Sequence, residues 1–138
     1  MLKISKLADY AMMLMCDLAD DGEKVQSATQ LSLQSGIPLP TASKVLKQLS
    51  DVALVKAVRG VQGGYLLAKP SAEISVADVI QAIDGYFALT ECSLPSNNCL
   101  LTRQCTMRTG WQYLNVKVCN LLSSISITDM RRSVGNRE

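Results

Sequence analysis

Leu54-Val-Lys-Ala-Val-Arg-Gly-Val-Gln-Gly-Gly-Tyr-Leu-Leu-Ala68 reads as a β-hairpin with a basic tip. Leu54–Val58 and Tyr65–Ala68 are aliphatic arms, and the glycines at 60, 63 and 64 permit a tight, positive-φ turn between them. Immediately upstream, Ser27-x-x-Gln30 is a capping box that opens a helix running to about Ser35, with Gly36 as its stop. Pro38 and Pro40 delay the next helix and suit its first turn. From Thr41 to Asp51, Ala42, Val45, Leu46, Leu49 and Val52 then mark one buried face. Two short helices joined by a Gly-containing turn make a helix-turn-helix, and a basic hairpin directly behind it makes a wing.

Working outward, Leu7, Ala11, Leu14 and Leu18 recur at helical spacing over about residues 4–20. Met12, Met13, Met15 and Cys16 make the other faces apolar too, so this helix should be covered on several sides. Downstream, Ser75-x-x-Asp78 starts a helix with Val76, Val79, Ile80 and Ile83 on one stripe and Gly85 past its end. Residues 86–104 read as irregular. From about Thr106 a long helix carries Trp111, Leu114, Val118, Leu121, Leu122 and Ile125 in near-heptad spacing, and a polar, mobile tail is expected from Arg131. The expected fold is mainly α with a small β-wing: a winged helix-turn-helix plus a long C-terminal dimerisation helix. It divides into a DNA-binding domain (1–85), a cysteine loop (86–105) and a dimerisation helix with its tail (106–138).

A chain of 138 residues can bury about two-thirds of its unfolded surface, enough for one core. The 48% hydrophobic and 19% charged fractions are those of a globular protein. Net charge is only +2, but residues 40–69 carry Lys44, Lys47, Lys56, Arg59 and Lys69 against Asp51 alone. Positive charge is thus concentrated where a groove-facing surface would lie. No apolar run reaches the roughly 18 residues of a membrane span, and the N-terminus lacks a signal-peptide pattern, so a cytoplasmic protein without membrane attachment is expected.

In that compartment five cysteines argue for metal or redox chemistry rather than disulfides. Cys92, Cys99 and Cys105 fall within one loop, at spacings unlike the Cys-x2-Cys of zinc ribbons. Cys105 is expected at the start of the long helix, where the dipole favours a thiolate. By spacing alone an iron–sulfur cluster, a structural zinc with three sulfurs and one oxygen, and a set of free thiols all stay open. Cys16 and Cys119 sit inside helical patterns and read as small buried hydrophobes. A thiol enzyme is disfavoured, because a cysteine nucleophile usually needs a histidine base and the chain has no histidine. No phosphate-binding glycine loop or small-molecule substrate site appears either.

For DNA, Pro40, Ser43, Lys44 and Lys47 share the face of the third helix opposite its apolar stripe. Ser43 and Lys44 would reach base edges and Lys47 a phosphate. An ordinary solvated face is the alternative. Arg59 at the wing tip suits minor-groove insertion, with Gln62 beside it. Ser27 and Thr41 complete the candidate contacts. Trp111 and five aliphatics on one helix exceed what a small winged module can cover, which points to a homodimer.

Lys6-Leu-Ala-Asp-Tyr-Ala11, Val58-Arg-Gly-Val-Gln-Gly-Gly-Tyr-Leu-Leu67, Val76-x-x-Val-Ile-x-Ala-Ile-Asp84 and the spaced cysteines together resemble the IscR- and NsrR-like winged-helix iron–sulfur regulators, especially those of the SUF cluster-assembly system. The resemblance covers nearly the whole chain. It implies a homodimer crossed through its long helices, a pseudo-palindromic DNA operator and a [2Fe–2S] or [4Fe–4S] cluster. IscR-like members place a histidine three residues after the third cysteine, and here that position is Arg108. NsrR-like members take an oxygen ligand from the partner's first helix, and Asp9 matches that position. The implied ligands are therefore Cys92, Cys99, Cys105 and the partner subunit's Asp9. Read without the resemblance, Asp9 is a dipole-compensating carboxylate worth about 0.3–1 kcal/mol. A nitric-oxide-sensing repressor of the same fold and a zinc-containing DNA-binding protein without sensing are the alternatives.

Overall fold

The computed structural model describes residues 2–22 and 24–134. Its central element is α1 (Lys6–Asp20), opened by Ser5, whose hydroxyl accepts from the Ala8 N–H at 3.1 Å. Ala8, Ala11, Leu14, Met15, Leu18 and Ala19 are buried because α2, α3, α4 and α6 all pack around this helix. In α2 (Ala28–Ser35) both halves of the capping box form: Gln30 N–H donates to Ser27 Oγ at 3.1 Å and Ser27 N–H to Gln30 Oε1 at 2.8 Å. Gly36, at φ 79°, ends it in the left-handed conformation a glycine adopts without strain. The second helix of the pair, α3 (Leu39–Asp51), begins two residues before the expected Thr41. Pro40 falls in its first turn, where a missing N–H leaves no helical bond unmade.

The wing is antiparallel β1 (Val55–Val58) and β2 (Gly64–Leu67), in register from Val55 opposite Leu67 to Val58 opposite Gly64. It is also fastened on its far side. Gln26 and Tyr65 exchange backbone hydrogen bonds at 3.0 and 2.8 Å, so the linker before α2 extends the hairpin by one residue. A side chain at position 64 would put its Cβ 2.3 Å from the Gln26 carbonyl oxygen, so this close approach demands glycine.

A short 3-10 turn (Ser71–Glu73) leads into α4 (Val76–Asp84), whose Ser75–Asp78 box forms as expected. A second 3-10 turn (Glu91–Ser93) and a run of turns precede α5 (Arg108–Ser124). The chain then breaks at Ile125 and forms α6 (Ile127–Val134), where a mobile tail was expected from Arg131. The reason is local. Ser126 and Asp129 cap each other's N–H groups at 3.1 and 2.9 Å, Ile127 is wholly buried in the module core, and Arg131 pairs with Asp20 of α1. Residues 135–138 of that expected tail lie outside the described residues. Among the described residues no helix is long and apolar enough to cross a membrane.

One core joins these elements: Leu14, Met15, Leu18, Leu31, Leu46, Leu49, Ile74, Val79 and Ile127 are at or near zero exposure. The helix α5 stands apart from it, packing on α4 and the Glu91–Ser93 turn. Its single buried side chain is Asn115.

Candidate nucleic-acid interface and cysteine loop

On α3, Ala42, Val45, Leu46 and Leu49 anchor the helix to the core, which turns Pro40, Lys44 and Lys47 to solvent and leaves Thr41 and Ser43 half-buried at the margin. At the wing tip Arg59 and Gln62 are exposed. The tip is closely packed: Gly63 N–H donates to the Gly60 carbonyl at 3.0 Å, and a Cβ on Gly63 would lie 2.3 Å from the Val58 oxygen. Basic side chains therefore project from a fixed helix and a fixed hairpin of one module, the arrangement a duplex reader needs. Ser27 differs from the other candidates, because its hydroxyl is engaged in capping α2. Gln26, which the sequence reading passed over, is 2% exposed and ties the wing to α1 by donating from Nε2 to the Asp17 carbonyl at 3.3 Å.

All five cysteines are free. Cys92 lies in the Glu91–Ser93 turn, its sulfur 3.1 Å from Thr90 Oγ1. Cys99 is half-buried, and its carbonyl accepts from the Thr102 hydroxyl at 2.8 Å. Cys105 is exposed and lies three residues ahead of the first residue of α5, because the helix begins at Arg108 rather than near Thr106. Its N–H donates to the Leu101 carbonyl at 2.8 Å. Among the described residues of one chain, no three His, Cys, Asp or Glu side chains come together to hold a metal ion. The structure thus places the three thiols on one loop without closing them into a ligand set. Asp9 is exposed on the first turn of α1, open to a second molecule.

The chemistry of this loop nevertheless suits an iron–sulfur group. Three soft sulfur donors share it, and Arg108, the first residue of the helix that follows, has a buried Nε with no hydrogen-bond partner. A buried cationic donor without an acceptor favours an anionic neighbour. The other two thiols differ from each other. Cys16, packed against the core, is pushed up to about 11, first by burial and then by Asp17 and Asp20. Cys119 is half-buried but not a plain apolar filler, since its sulfur lies 3.7 Å from Asn115 Nδ2 and 3.8 Å from the Phe87 carbonyl.

A helix-turn-helix with a basic wing, carried beside a long helix with Trp111, Leu114 and Leu121 exposed, defines a homodimeric DNA-binding transcription regulator rather than an enzyme. The chain belongs to the Rrf2 family, described as "Iron-dependent Transcriptional regulator", which matches residues 4–133. The HTH-type transcriptional regulator IscR of Photorhabdus laumondii is 32% identical over 138 residues, 99% of this chain and 82% of that protein. Among solved structures, CymR, the global cysteine regulator of B. subtilis, superimposes with a TM-score of 0.75 at 25% identity, covering 96% of this chain and 98% of CymR. IscR of T. potens does so at 0.72 and 28%, covering 96% and 88%.

Proposed function

We propose that this protein is a cytoplasmic, cluster-dependent regulator that binds a pseudo-palindromic operator as a homodimer and controls iron–sulfur cluster assembly genes of the SUF type. The observation that carries the reading is three free thiols on the one loop that leads into α5, with the orphaned Arg108 Nε at the first residue of that helix. The likeness to IscR proteins and the wing and cysteine motifs support the same reading.

In this reading Cys92, Cys99, Cys105 and the partner subunit's Asp9 hold the cluster. When bound, the cluster supplies a link between thiolates that responds to iron supply and oxidation. Lys44 and Ser43 meet base edges, Lys47 and the N-terminus of α3 around Pro40 and Thr41 meet the backbone, and Arg59 with Gln62 enters the minor groove. Ser27 contributes through the exposed start of α2, which its hydroxyl orders. Gathering the loop thiols would draw on Cys92 and on the start of α5, shifting the two winged modules relative to each other and so the operator-competent population.

The test is anaerobic purification with iron, sulfide and zinc analysis, followed by operator titration with and without the cluster. Iron and labile sulfide that disappear in Cys92→Ala, together with an affinity that differs between the two forms, are the expected result. A colourless protein with stoichiometric zinc, or cluster loss with unchanged affinity, would overturn the sensing role. Arg59→Ala separates the DNA part, since retained wild-type affinity would remove the wing from readout.

A further inference from the structure

Asn115 is an odd choice for the one buried residue of α5. Asparagine is a weak helix former, and a buried amide destabilises unless its hydrogen bonds are met. Its surroundings meet them. Asn115 Oδ1 accepts from the Leu89 N–H at 2.8 Å, and Nδ2 points to Cys119 Sγ at 3.7 Å, which in turn faces the Phe87 carbonyl at 3.8 Å. One turn earlier, Gln112 Nε2 donates to the Cys92 carbonyl at 3.1 Å. Gln112, Asn115 and Cys119 stand at i, i+3 and i+7, one stripe of the helix. They meet an acceptor, a donor and an acceptor on the backbone of residues 87, 89 and 92, a segment without strand or α-helix pairing of its own.

We propose that Gln112 and Asn115, with Cys119 behind them, are positioning residues that lock the 87–92 backbone, and with it Cys92, to a fixed register on the dimer helix. An apolar contact at this junction would tolerate sliding, because burial is not directional. Hydrogen bonds to successive backbone groups do not, so Cys92 cannot shift along α5 without breaking the Gln112 bond or taking the helix with it. The part of this inference that concerns signalling rests on the cluster reading above; the lock itself does not.

The experiment is residue-resolved amide hydrogen exchange on the full-length, cluster-free dimer. Asn115→Leu removes the acceptor at similar size, and protection of the Leu89 amide should fall about tenfold or more, the scale of losing one buried hydrogen-bond partner. Asn115→Asp retains an acceptor oxygen and should restore most of it. Gln112→Leu should raise exchange in the 90–93 turn and leave Leu89 protected. Amides in α1 and α3 serve as the folding control and should not change in any variant. Unchanged Leu89 exchange in Asn115→Leu, no rescue by Asp, or loss of protection spreading into α1 and α3 would each overturn a local lock. Because no cluster is present, a negative result here is separate from a negative iron analysis, and the two readings fail independently.

Discussion

In the winged module Leu14, Leu18, Leu31, Leu46 and Leu49 are wholly out of water, whereas along α5 Trp111, Leu114, Val116 and Leu121 remain 40–59% exposed around one buried asparagine. The module carries its own hydrophobic driving force, while the α5 arm adds polar bonds to its packing on α4 and leaves Trp111, Leu114 and Leu121 of its apolar heptad positions for another chain. Rigid presentation of α3 and the wing is therefore a property of each protomer. The spacing between two such modules is a property of the pair. A signal that acts on the arm can alter the second without disturbing the first.

Three perturbations test that contrast, in falling order of size. Ile127→Ala should cost the module about 2–5 kcal/mol in urea unfolding, although position 127 lies beyond α5 in sequence, because Ile127 is fully buried in the module core. A cost below about 1 kcal/mol would mean that α6 does not belong to that core. Trp111→Ala should act on the arm alone, raising the dimer dissociation constant about tenfold in sedimentation, near 1.4 kcal/mol, with amide protection in α1 unchanged. The smallest effect concerns Cys16. Its thiol is raised from 9.0 to about 11, so the folded state favours the protonated form. The stabilising contribution is complete below about pH 9 and is lost as pH rises towards 11. The urea midpoint of the wild type should fall over that window, and Cys16→Ala should flatten the decline.

Much of the module could be read from local signals. Ser27-x-x-Gln30 and Ser75-x-x-Asp78 both form the caps their spacing implies, and the glycines at 63 and 64 mark a real constraint. At Gly63 the constraint is the hairpin's own backbone, while at Gly64 it is the approach of the Gln26 strand, which hairpin patterns do not reveal. Ser126-x-x-Asp129 is the same kind of signal as Ser75-x-x-Asp78, yet it does not mark α6 by itself, because a polar run follows and Ile127 alone is buried in it. Gln26 and Asn115 were invisible for a common reason: each matters through partners distant in sequence, Tyr65 and Asp17 for one and Leu89 for the other. The three loop cysteines are legible in the sequence, but their spacing says which sulfurs are neighbours along the chain and not whether one chain folds them together, and among the described residues it does not.

The chain leaves the module after α4 and re-enters it at α6, and the point of return is stitched to the start of α4. Val76 N–H donates to the Ile125 carbonyl at 2.8 Å and Ile127 N–H to the Ile74 carbonyl at 2.9 Å. Together α4, the cysteine loop and α5 thus form a closed excursion clasped where α4 begins and α5 ends. A protease cut between Leu94 and Gln104 would leave two fragments that stay associated, whereas a chain stopped at the same place would lack its own keystone.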